Sequence, residues 1–353
     1  MKLITKRSKM SGQAVKAFIE NKRLLWIFVI IFLRNVNYTD CTSSGVTKTF
    51  PSVGICLTMG RSTEEVKDAV LRRSPGEELP RNYIRMIKDY LFVSPNDFYR
   101  GGAQYCEGRN STCGVDILDM RRELLPRKCT EIFDKIYFRE KLLPDCEQIF
   151  KFHELELGYC FLANNYMDYN STDKMPLQYS SLDKHRNLRL VFQPPKLYNY
   201  ELHVLSNEDV PNFASSGPGI TSYQTKQIYE VEETPNRKSI NEPVSQRQCR
   251  FPSEHSIEGI PYSHSTCVGN RFSEMGMDKC NCSVFSYEDP SSKNFCGVQG
   301  LICLAEAELA MSEHIAADKT CLPSCVHQNI TRIGDKDFDL EGYVVDIKLE
   351  SRN

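Results

Sequence analysis

The chain has 353 residues, 41% of them hydrophobic and 25% charged, with a formal net charge of −2. That length carries a sizeable core and two or three sub-domains. The near-neutral balance excludes bulk affinity for nucleic acid or anionic lipid, and 15 cysteines read as a disulfide framework in an oxidising compartment.

In chain order, the first feature is the only strong apolar run, Leu24–Leu33, preceded by Lys22 and Arg23 and followed by Arg34. As a helix it covers about 15 Å, against roughly 30 Å of hydrocarbon. Two readings stand. It is the core of a cleaved signal peptide, or a shortened membrane anchor with a cytosolic N-terminus at 1–23. A polar link follows, then "FPSVGIC", Phe50–Cys56, whose apolar spacing suits a short strand. "RSTEEVKDAVLRR" opens on a capping box, Ser62 with Glu65, and predicts a helix. "NYIRMIKDYLF", Asn82–Phe92, places Ile84, Ile87 and Leu91 at helical spacing, and "VDILDMRRELL", Val115–Leu125, predicts a third helix ended by Pro126. The region from about 60 to 160 therefore reads as helical and loop-rich.

The texture changes beyond it. "LRLVFQ", Leu188–Gln193, and "YELHVLS", Tyr200–Ser206, predict strands split by Pro194 and Pro195. "QTKQIYEVEET" is a weaker strand pattern. From Cys249 to Cys325 the chain holds eight cysteines and one predicted helix, "CLAEAELAMSEHIAA". The end, "EGYVVDIKLE", puts Tyr343, Val345, Ile347 and Leu349 on one face of a strand. Sequons at Asn37, Asn110, Asn170, Asn281 and Asn329 fit an extracellular chain, with Asn281 crowded between two cysteines.

Chemistry-bearing patterns are weak. Cys280, Cys282, Cys296 and Cys303 read as disulfides, because one residue between Cys280 and Cys282 is too tight a turn for structural zinc. "HELEL", His153–Leu157, has Leu157 where a zinc-protease helix needs its second histidine. "GPGITS" lacks the third glycine of a dinucleotide loop. The seven histidines are scattered. Glu232–Glu233 and Asp337/Asp339 read as solvated carboxylates. No catalytic residue, metal set or cofactor is expected, and the chain reads as no enzyme.

Several stretches taken together resemble one family, the degenerin/epithelial sodium channels (DEG/ENaC), and within it the insect pickpocket-type subunits. "FPSVGIC" is similar to the family's FPAVTIC strand. "GYCFLANN", Gly158–Asn165, is similar to G-x-CYTFN, and "LHVLSNEDVP", Leu202–Pro211, to a strand ending in H-S-P-D-E-x-P. "QRQCRFPSE", Gln246–Glu254, is similar to QR-x-C-x-F-x-x-E; "YSHSTC", "CNC" and "CLPSC" follow in family order. The match runs from about residue 50 to 350.

The resemblance implies an α+β fold: a palm sheet and β-ball, a helical finger and a disulfide-stapled helical thumb. Its segments are the first palm strand at 50–60, the finger at 61–160, palm and β-ball at 161–248, the thumb at 249–325 and terminal palm strands at 326–353. It also implies the bridges Cys56–Cys160, Cys129–Cys146, Cys249–Cys325, Cys267–Cys321, Cys280–Cys303 and Cys282–Cys296. Spacing alone leaves eight cysteines 105 pairings. The outer bridge alone contributes about 4–5 kcal/mol by chain entropy. The family's thumb has two more cysteines, near Asn270 or Arg271 and at Lys319. They bond each other in the family, so losing both leaves no orphan thiol. Cys106 and Cys113 are close enough for a local bridge, and Cys41 is the odd one.

Function follows as an expectation: a subunit of an amiloride-sensitive, ligand- or mechanically gated sodium channel of the plasma membrane. It would assemble as a trimer with other DEG/ENaC subunits, with sodium ions as cargo and no nucleic acid as partner. The gating His-Gly is absent, Ser11–Gly12 standing at best as a relic, and the chain ends before the family's second transmembrane helix and its pore filter. It is therefore expected not to conduct alone. The alternatives are a secreted or tethered disulfide-rich module that tunes full-length channels, and an incomplete gene model.

Overall fold

A computed structural model describes residues 46–59, 63–73, 81–91, 116–169, 174–194, 199–212, 225–233, 241–254, 259–285, 287, 294–304, 306–307, 320–337 and 342–350. The apolar run at 24–33, Ser62, Cys41, Cys106, Cys113, Lys319 and the sequons Asn37, Asn110 and Asn170 lie outside the described residues.

The chain divides into two units, Met1–Lys48 with Ser180–Leu182, and Thr49–Tyr179 with Asp183–Asn353. In the first, the Ser181 N–H donates to the Val46 carbonyl at 3.1 Å. The second holds all the sites described below.

The strands are β1 (Thr47–Thr49), β2 (Ser52–Met59), β3 (Phe133–Phe138), β4 (Lys141–Leu142), β5 (Phe150–Leu155), β6 (Gly158–Ala163), β7 (Gln178–Ser180), β8 (Asn187–Phe192), β9 (Asn199–Leu205), β10 (Thr225–Glu233), β11 (Gln328–Asp337) and β12 (Tyr343–Glu350). The helices are α1 (Thr63–Arg73), α2 (Arg81–Leu91), α3 (Ile117–Leu124), the single turn α4 (Val244–Arg247) and α5 (His264–Cys280). A further helical stretch covers 298–304.

One sheet has six strands in the order β11-β10-β12-β8-β3-β4, and another has four, β5-β6-β2-β9. β2 stands in the four-stranded sheet, and the terminal strands β11 and β12 in the six-stranded one. β12 departs from its sequence pattern. Its alternation predicts one buried face, yet Val344 and Asp346 are as buried as Val345 and Ile347. β12 is central, parallel to β10 and antiparallel to β8, and is covered on both faces. A carboxylate there needs partners: Asp346 accepts from Asn187 Nδ2 at 2.7 Å and faces Lys226 Nζ at 3.3 Å, one from each neighbouring strand.

The three predicted helices form where periodicity places them, burying Val66, Ala69 and Val70, then Ile84, Ile87 and Leu91, then Ile117, Met120 and Leu124. Asp116 caps α3 by accepting from the Asp119 N–H at 3.0 Å. Arg73 at the end of α1 reaches Glu123 on α3 at 2.7 Å, a solvent-facing pair that orients the helices more than it stabilises them.

The helical reading of 60 to 160 holds only for its first part. From Cys129 the chain forms two 3₁₀ turns and the strands β3 to β6. Aromatic side chains at strand spacing decide this. Phe133 packs on Phe150 and Phe192 at 4.7 and 5.3 Å between ring centres, which ties the two sheets into one core. "HELEL" lies in β5 and its turn, where His153 Nε2 meets Asp168 Oδ2 at 3.0 Å.

Candidate functional site

Three of the sequence stretches singled out above converge on one buried point. Asn164 ends β6 with φ of 59°, a left-handed conformation that asparagine tolerates. Its Nδ2 donates to the carbonyls of Phe50 (2.6 Å) and Leu177 (3.0 Å), and its Oδ1 accepts from the Leu177 N–H at 3.0 Å. Asn207, in the loop after β9, donates to the carbonyls of Phe50 (2.9 Å) and Asn164 (2.7 Å). Asn165 donates to Ser52 Oγ at 3.0 Å and to the Asp209 carbonyl at 2.7 Å. All three amides are at least 96% buried. They bond backbone groups just outside β2, β6, β7 and β9.

The cysteine-rich segment is fastened beside this knot. Cys249 bonds Cys325 with Cα atoms 5.0 Å apart, and Arg250 pairs with Ser324 as a parallel bridge. The Cys325 N–H donates to the Arg250 carbonyl at 2.7 Å. Cys267–Cys321, Cys280–Cys303 and Cys282–Cys296 follow along α5, while Cys56–Cys160 joins β2 to β6 directly across their antiparallel register and Cys129–Cys146 links the two 3₁₀ turns. Gly300 seats the ladder: a β-carbon there would lie 2.3 Å from Cys282 Sγ, so only glycine lets the helix at 298–304 approach that bridge. Where the resemblance implies a missing rung, Asn270 and Arg271 both reach Glu274 one turn on, at 2.9 and 2.7 Å.

The "QRQCRFPSE" residues build the entrance of the segment. Arg247 is 97% buried, lies 5.1 Å from the Phe251 ring centre and donates from Nη2 to Glu254 Oε1. Glu254 Oε2 accepts from the Phe251 N–H at 2.8 Å. Burial pushes the Glu254 carboxyl up, but Arg247 and the Phe251 amide outweigh it and hold it below the ordinary 4.5.

Between the knot and the clip lies a cluster that no sequence pattern announced. Glu208 and Asp209, in the loop after β9, meet His327 where the chain leaves the cysteine-rich segment; their ligand-capable atoms all lie within 4.8 Å of one another. His327 Nδ1 stands 3.6 Å from Glu208 Oε1 and 3.9 Å from Asp209 Oδ2. The Glu208 side chain is only 2% exposed, and its Oε1 has no hydrogen-bond partner. Its other oxygen accepts from Ser206 Oγ at 2.5 Å, and the Gln328 N–H donates to that same hydroxyl at 3.0 Å. Asp209 Oδ1 accepts from Ser265 Oγ, near the start of α5, at 2.8 Å. Burial pushes the Glu208 carboxyl up, and the facing carboxylates raise His327, Glu208 foremost.

Of the two sequons within the described residues, Asn281 is exposed but caps α5 with φ of 55° between two bonded cysteines. The hydroxyl of its sequon, Ser283, is buried and bonded to Ser273 and the Phe285 carbonyl. Asn329 and Thr331 are both exposed on the sheet-edge strand β11.

The fold, mixed helix and sheet with six disulfides among the described residues, is consistent with the class of ENaC-type extracellular domains. Residues 23–335 match the amiloride-sensitive sodium channel family, and the chain belongs to it. It is a family of ion channels and not of enzymes; its members assemble from DEG/ENaC subunits, conduct sodium and sit in the plasma membrane with extracellular domains. No curated protein matches the chain. Among the described residues no helix is long and apolar enough to cross a membrane.

Proposed function

We propose that the chain is a pickpocket-type subunit of a trimeric, ligand- or mechanically gated sodium channel, with residues 46–350 on the outer side of the plasma membrane. Helices α1–α3 are then the finger, the segment 249–325 the thumb, and the sheets the palm and β-ball. The carrying observation is the joint between thumb and sheets. The chain leaves the Cys249–Cys325 clip and enters β11 through a Gln328–Ser206 hydrogen bond to the loop of the other sheet. Movement of the stapled segment therefore passes to both sheets through a few short bonds.

The test is co-expression with a channel-forming family subunit, followed by surface biotinylation, co-purification and current recording. The expected result is joint recovery at the cell surface and a changed amiloride-blocked sodium current. Separate recovery with an unchanged current refutes the proposal. The same cells test the topology. Enzymatic removal of N-glycans should shift the wild-type chain, the step owed to Asn329 should vanish in Asn329→Gln, and Asn281→Gln should leave the pattern unchanged. An unchanged pattern in Asn329→Gln places that face away from the glycosylation machinery.

A further inference from the structure

We propose that Glu208, Asp209 and His327 form a binding site for a divalent cation of the zinc class, clamping the loop after β9 to the segment that leaves the cysteine-rich region.

The oxygens are prepared for it. Each carboxylate has one oxygen committed to a serine hydroxyl, Glu208 to Ser206 and Asp209 to Ser265. That leaves Glu208 Oε1 and Asp209 Oδ2 turned to the imidazole. Outer hydrogen bonds of this kind orient the ligands of protein metal sites. A buried carboxylate oxygen with no donor is costly unless a cation compensates it. His327, 3.6 Å away, meets this only in part, because the distance is beyond a hydrogen bond.

The spacing fits a small ion. With metal–ligand bonds near 2.1 Å, tetrahedral ligands lie about 3.4 Å apart. The observed 3.6 and 3.9 Å to Nδ1 need only a small inward movement. One imidazole with two carboxylates suits zinc better than calcium, which takes six to eight oxygens. The His327 side chain is 50% exposed, so water reaches the remaining coordination position.

Two parts of the chain remote in sequence would then share one ion. Glu208 and Asp209 follow β9 of the four-stranded sheet; His327 lies between Cys325 and β11 of the six-stranded sheet. Ser265 brings in the first turn of α5 as well.

The test is a titration of the purified full-length chain, stripped of metal, with cobalt(II) read by its visible ligand-field bands and then displaced by zinc chloride. The expected result is one saturable equivalent that zinc displaces and millimolar calcium does not. His327→Ala should weaken binding by more than about 100-fold, and Ser265→Ala, which leaves every ligand in place, by about 10- to 100-fold. His185→Ala, at an exposed histidine outside the cluster, should change nothing. Melting curves and disulfide content verify each fold; if Glu208→Gln fails to fold, the exposed His327 variant decides alone. Absent saturable uptake, equal affinity in His327→Ala, or displacement by calcium overturns the proposal.

Discussion

Replacing Asn164 with alanine is expected to lower stability by about 4 kcal/mol, among the largest effects of any single substitution in this chain. Three losses combine. The Leu177 N–H loses its side-chain acceptor in a buried setting, which costs about 1–3 kcal/mol. Two donated hydrogen bonds go, at about 0.5–1.5 kcal/mol each. Their carbonyls are not orphaned: Phe50 still accepts from Asn207, and Leu177 from the Phe50 N–H. Finally, alanine at a φ of 59° costs roughly 1–2 kcal/mol more than asparagine with its local hydrogen bonds. Asn164→Gly separates the terms, since it removes the amide but accepts the backbone angle, and should be less damaging than alanine. Urea unfolding of the purified chain with disulfides intact measures both; a loss under about 1 kcal/mol in Asn164→Ala refutes the knot as a stabilising device.

Glu254→Gln is the second. Arg247 has 1% of its side chain exposed, and its Nε and Nη1 have no hydrogen-bond partner, so its charge depends on this carboxylate and on the face of Phe251. Removing one member of a buried pair costs about 3–5 kcal/mol. Glu254 is itself 28% exposed, which places the expectation at about 3 kcal/mol. The double variant Arg247→Met, Glu254→Gln should be milder than Glu254→Gln alone, because no charge is then left buried. The pH dependence has a definite sign. The folded-state pKa of Glu254 is below its ordinary 4.5, so this stabilisation is fully present above that value and is lost as pH falls through the folded pKa. The acid limb of stability should therefore flatten in Glu254→Gln. An unaltered limb, or a double variant worse than the single one, overturns the assignment.

Much of this was legible in the sequence because the cysteine order and the short stretches around it carry the geometry. Asn164, Asn165, Asn207, Arg247 and Glu254 all sit inside those stretches, although their joint purpose appears only when β2, β6 and β9 are brought together. The helix α5 was hidden for a physical reason. Its buried positions are Ser265, Thr266, Cys267, Gly269, Ser273 and Gly276, small or polar residues that leave no apolar period. Strand β11, which the resemblance implies among the terminal strands, shows no periodicity of its own because its ten residues are largely exposed and its backbone pairing with β10 needs no buried face. Glu208 and Asp209 sit inside "LHVLSNEDVP", but their meeting with His327 was out of reach: the halves come together only after the chain returns through the Cys249–Cys325 bridge.

That return has a consequence for how the chain tolerates change. At Cys249 and Cys325 the strands run side by side in the same direction with Cα atoms 5.0 Å apart, so everything between them starts and finishes at nearly one place. Topologically it is an insertion with almost no net displacement. Its length can vary without shifting the register of either sheet, which makes it a natural unit of exchange between subunits, provided the arginine–glutamate pair at its mouth and the Ser265 contacts to Asp209 and Val210 travel with it.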